Sequence, residues 1–154
     1  MDAALRVVHL LAAVVWVGGT IALVFVAVPP VQRLEGEARA RTLRAFGKRW
    51  RPIGWSSLVV AIGTGIAIAA RAHAFDTTPS RFDWVLAFKG ALVALLVVGA
   101  YLHDFVLGPA LARQMREGEP QSLRPVLTAI GRLNLLVTIA LPVLGALLAE
   151  FLHD

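Results

Sequence analysis

Four histidines and one lysine carry most of the chemistry this chain can perform: His9, His73, His103, His153 and Lys89. Imidazole ligates metals and moves protons near neutral pH. His9 sits inside an apolar run from Val7 to Val28, with Trp16 seven residues further on and Gly18-Gly19 after it. A histidine in hydrocarbon is costly to keep, so an intramembrane one marks a candidate functional site. A b-type haem needs an axial imidazole, an apolar slot and cations for its propionates. His9 offers the ligand, and Gly18-Gly19 with Gly54, Ala61 and Gly65 offer slot surfaces. Lys89, Arg6 and Arg71 offer cations, and His73 is a second axial candidate. Copper is the competing metal, but Cu(I) prefers sulfur. The chain has no Cys and two Met, the first residue and Met115, so a copper path would run on His9, His73 and Asp76. The absence of Cys also excludes disulfides and thiolate sites, and no Ser-His-acid pattern supports a hydrolase.

These residues must be positioned by membrane helices. Of 154 residues, 58% are hydrophobic, more than a soluble domain of this size can hide. Apolar segments at 5–28, 53–70, 85–107 and 135–148 approach the roughly 20 residues a spanning helix requires. The sequence predicts an all-α, integral membrane four-helix bundle, one domain over 1–154. Its helices are expected at about 4–29, 52–73, 84–112 and 123–150, with a cytoplasmic helical connection over 30–51. That connection holds Arg33, Arg39, Arg41, Arg44, Lys48, Arg49 and Arg51 against Glu35 and Glu37, and the third connection adds Arg113, Arg116 and Arg124. The second has Arg81 with Asp76 and Asp83, and Thr77-Thr78-Pro79-Ser80 reads as a turn. Loop cations collect on the cytoplasmic side, which predicts both termini extracytoplasmic in a multi-pass protein of the bacterial inner membrane. The net charge of +5 is therefore a topology signal and not one for nucleic acid. The first run exceeds a signal-peptide core and follows Asp2, so it is read as a retained span.

Within 37–50, Leu43, Phe46 and Trp50 fall at helical spacing without Pro. Either helix one runs on past the membrane or an amphipathic helix lies on the inner surface, with Pro29-Pro30 expected to kink or break the chain. Gly54, Ser57, Ala61, Gly65 and Ile68 share a face of helix two, which can pack closely on a neighbour or on a flat cofactor. Helix four presents Asn134, Thr138, Leu141, Gly145 and Ala149 together, with Pro142 adjacent. By depth, His9, Lys89 and His73 share the outer level, while His103 and Asp104 lie near the cytoplasmic side. Lys89 and His103 share a helix face about 21 Å apart at 1.5 Å per residue. Lys89 either faces the bundle interior or snorkels to headgroups. Asp104 can pair with Arg49, Arg51 or Arg132 as a structural ion pair or serve a proton relay, and His153 lies at the C-terminal end. By type and setting, His9, His73 and His103 are the candidate metal ligands.

His9-Leu10, Ala12, Trp16 and Gly18-Gly19 resemble the opening helix of bacterial CopD-like copper-resistance membrane domains. They are also similar to that of the HemJ family of four-helix protoporphyrinogen IX oxidases. The HemJ likeness continues in Lys48-Arg49-Trp50-Arg51-Pro52-Ile53 leading to Gly65, in Trp84 with Lys89, in Tyr101 with His103, and in Arg132 with Asn134. It departs where that family has an aromatic-rich segment after helix one, here Val26-Ala27-Val28-Pro29-Pro30-Val31, and in Asp104 after the third-helix histidine. The resemblance implies that His9 ligates b-haem; by position, Trp16, Gly19, His73 and Arg71 are the further candidate cofactor contacts. It also implies a functional, catalytic Lys89 that donates to a propionate or substrate carboxylate, or acts as second axial ligand when neutral. The expected work is electron transfer or oxidation of a porphyrin-type or quinone-type small molecule in the bilayer. The alternatives are CopD-like copper handling and a structural accessory subunit, and a homo-oligomer is compatible with each.

Overall fold

The computed structural model describes residues 3–71 and 81–150, with side chains at 3–71 and 83–147. All elements among them are helical. Helix α1 runs over Ala3–Ala22, a π-helical stretch Leu23–Ala27 and Val28–Gln32. Helix α2 is Gly36–Arg71. Helix α3 comprises Arg81–Tyr101, a second π stretch Leu102–Leu107 and Gly108–Glu117. Helix α4 is Arg124–Glu150. Each is long and apolar enough to cross a bilayer. Many large side chains remain outward, Leu10, Leu11, Val14, Val59, Phe88 and Leu136 among them. In a bilayer such side chains would face lipid and need no burial in protein.

The prolines explain the π stretches. A proline has no N–H for the helical ladder, and its ring strikes the carbonyl four residues back. A π turn shifts that register by one residue. The N–H of Val28, just before Pro29-Pro30, bonds the carbonyl of Leu23. The N–H of Gly108, just before Pro109, bonds that of His103 in the same way. The chain therefore passes Pro29-Pro30 within a continuous helix and turns only after Gln32, at Gly36, which takes φ +49°. The basic segment expected as a separate connection is instead the first half of α2. Its 36 residues span about 54 Å, well beyond the hydrocarbon, and Pro52 lies within the helix without ending it.

Helix α1 packs along α2 and α3 along α4, while α1 meets α4 and the end of α3 meets α2. Trp16, Leu58, Leu96, Ala100 and Val137 form the centre. The α1–α4 seam is closed by the Trp16 indole N–H, which donates to the fully buried Thr138 hydroxyl at 3.3 Å. The α2–α3 seam is closed by the Trp55 N–H, which donates to Asp104 Oδ2 at 3.1 Å.

The two hairpins repeat one another at a shift of 80 residues, as from Pro29 to Pro109. Phe25-Val26, Pro29, Arg33 and Glu37 recur as Phe105-Val106, Pro109, Arg113 and Glu117. The π-turn hydrogen bonds recur at the same shift. So do the glycines that admit a side chain from the second helix of each hairpin. A Cβ on Gly19 would collide with Trp50, and one on Gly99 with Asn134. Like helices in the two halves run in the same direction, which is the arrangement of parallel repeats about an axis along the membrane normal.

Candidate functional site

His9 is half-buried on α1 and tied to α2. Its Nδ1 lies 2.9 Å from the Ala61 carbonyl and 3.0 Å from Thr64 Oγ1. A carbonyl can only accept, so Nδ1 carries the proton. The Thr64 hydroxyl directs its own hydrogen to the Val60 carbonyl at 2.6 Å, which leaves its oxygen free to accept as well. With the proton held on Nδ1, the neutral ring presents a lone pair at Nε2. Metal-binding histidines are oriented by this kind of backing. Gly65 makes room for the ring, because a Cβ there would stand 3.2 Å from Cε1.

The equivalent position in the second hairpin is Lys89, 80 residues on from His9. Its partner glycine is equivalent too. A Cβ on Gly145 would stand 3.2 Å from Lys89 Nζ, as one on Gly65 would crowd His9. Lys89 thus reaches the adjacent α4, and it lies within electrostatic reach of His9. The repeat accounts for the common depth of these two residues: each occupies the same place in its own hairpin.

The remaining candidates have other neighbours. Trp16 is in the centre, bonded to Thr138 and 6.3 Å from Trp50 between ring centroids. The space beside Gly19 and Gly54 is taken by the Trp50 indole. The small face of α2 meets α1 through Ala61 and Gly65 at His9. Arg71 ends α2. His73, Asp76 and His153 lie outside the described residues.

His103 is brought not to His9 but to the opposite end of the bundle. There its Nδ1 lies 3.0 Å from Asp104 Oδ1, and its Nε2 would be 3.6 Å from a Cβ on Gly131. Asp104 also accepts from Trp55 and lies within reach of Arg51, whose guanidinium stands 5.3 Å from the Phe105 ring centre. Trp55, Thr64 and Gly145 were not singled out as site residues from sequence. The 80-residue repeat, which pairs Gly65 with Gly145, was the signal that could have found the glycine. Among the described residues no three of His, Cys, Asp and Glu gather as a metal-binding group.

No family model, curated protein or solved structure matches this chain.

Proposed function

We propose that the protein holds one b-type haem through His9 and serves electron transfer or oxidation of a porphyrin-type or quinone-type molecule in the membrane. The observation that carries this reading is the backed imidazole: both hydrogen bonds of His9 fall on Nδ1, leaving Nε2 for a metal. The donor set favours haem over a bare copper ion. A porphyrin brings four nitrogens of its own, so a single imidazole suffices, whereas copper would need several protein ligands in one place. Haem, when bound, supplies the one-electron chemistry. The protein's share is to orient the ligand, to keep water from the bundle and to place a cation.

Lys89 would fill that last role: as an ammonium it would neutralise a propionate or a substrate carboxylate, and as a free amine it could instead ligate the metal. Its equivalence to His9 in the repeat supports a place on the other side of one bound molecule. On this reading both termini face the extracytoplasmic side of a bacterial inner membrane, because the cations of 33–51 and 113–124 gather at the other end.

Protein purified after haem-replete expression should be red, with a Soret band that shifts on dithionite reduction. His9→Ala should lose the haem and His153→Ala retain it. A colourless wild type overturns the proposal, and stoichiometric copper in such a preparation would establish the alternative metal.

A further inference from the structure

At the end of the bundle opposite His9, α2 and the last part of α3 enclose an open groove of about 360 Å³. One wall is Arg44, Lys48 and Arg51, at successive turns of α2; the other is Gly108, Pro109, Ala112 and Arg116 of α3. Four cations line it, and no carboxylate does. The floor is made of small or ring-closed residues, which lets a group descend between the cations. We infer that this groove is a binding site for the phosphate of an anionic phospholipid headgroup.

Three observations carry the inference. Like charges converging on one groove repel, and a bound anion reverses the sign of that interaction. Arg51 Nε is a buried N–H with no hydrogen-bond partner, an omission that costs free energy unless a ligand supplies an acceptor. The third is an internal comparison. By the 80-residue repeat, the same groove on the other side of the bundle would be lined by Arg124, Thr128 and Gly131 with Val28, Pro29, Gln32 and Gly36. That set has one cation. In the sequence, therefore, the cations of this groove are not repeated at the equivalent positions of the other hairpin. A lipid is favoured over a soluble anion because the groove opens where two apolar spans end. Guanidinium groups are suited to phosphate by their paired donors.

The test uses the full-length protein in a neutral detergent. Lipid binding is read by native mass spectrometry and by the rise in melting temperature on adding phosphatidylglycerol. The wild type should retain phosphatidylglycerol in preference to phosphatidylcholine. The variant Arg44→Gln/Lys48→Gln/Arg116→Gln should bind it about tenfold more weakly or worse. A control with equal loss of charge off the groove, Arg33→Gln/Arg39→Gln/Arg49→Gln, should keep most of the affinity. Arg51 is spared because it also faces Asp104. Equal losses in both variants would reduce the effect to bulk attraction and overturn the proposal, as would equal binding of phosphatidylcholine. If glycerol phosphate in water displaces the lipid and stabilises the protein as strongly, the site is for a soluble phosphate and the lipid assignment fails. The read-out is lipid-dependent and independent of haem content, so it stands apart from the fate of the haem proposal.

Discussion

At the scale of single residues, the decisive group is Thr64, which fixes the use to which His9 can be put. Its hydroxyl gives its hydrogen to Val60 and takes one from Nδ1, so removing it leaves the Ala61 carbonyl to hold the imidazole. Partners that orient a metal-binding histidine typically matter by about 10- to 100-fold in affinity. Thr64→Val should therefore weaken haem retention by that order while leaving the fold intact, measured as haem occupancy during dilution. An unchanged occupancy would mean that the Ala61 carbonyl alone holds the ring. Lys89 is tested by a pair of substitutions. Lys89→Met should disturb the spectrum or the activity, whereas Lys89→Arg keeps the charge and the fold. Two variants with wild-type activity would leave Lys89 only a packing role against Gly145.

At the scale of helices, two indoles join the hairpins, and their partners differ in kind. Trp16 bonds a neutral hydroxyl, and hydrogen bonds of that sort between membrane helices are worth about 0.6 kcal/mol. Trp55 bonds a carboxylate. Its loss deprives a partly buried charge of a donor, which typically costs about 1–3 kcal/mol. Trp55→Phe should accordingly destabilise more than Trp16→Phe in denaturant titrations in detergent, and the reverse order would refute this account of the seams. Much of this scale was legible in the sequence. Four spans followed from apolar length alone, and the common depth of His9 and Lys89 followed from counting turns. The path through Pro29-Pro30 was not legible. A proline pair ordinarily ends a helix, and the π turn that rescues it depends on a one-residue register shift with no composition of its own. Trp50 was equally hidden. Its spacing marked it as an apolar residue on a basic helix, but filling the notches at Gly19 and Gly54 depends on how α1 and α2 meet.

At the scale of the whole molecule, orientation and symmetry matter most. If loop cations set the topology, an alkaline phosphatase reporter fused after the last helix should be active and one fused within 33–36 inactive. The opposite pattern would invert the bundle and put His9 at the cytoplasmic face. The 80-residue repeat was present in the sequence, in Phe25-Val26, Pro29, Arg33 and Glu37 and their counterparts at 105–117. It is easily passed over because the matches are sparse and the intervening residues are interchangeable apolar types. The features that break the repeat are as informative as those that make it. Arg51, Trp55, His103 and Asp104 correspond to Gly131, Leu135, Leu23 and Val24, so the polarity of that cluster belongs to one seam and has no counterpart at the equivalent positions.

Halves that agree in this way are what tandem duplication of a two-helix hairpin would leave. The unduplicated ancestor would have been a two-helix hairpin that paired with a second copy of itself, offering the same side chain twice at the level now held by His9 and Lys89. One position now bears an imidazole and the other an amine. Two identical ligands hold a guest evenly from both sides. On the proposed reading an imidazole opposite an amine would hold it unevenly, because the amine is the stronger base and takes up a proton first. On that reading the clasp would thus have a fixed side and a side that can let go.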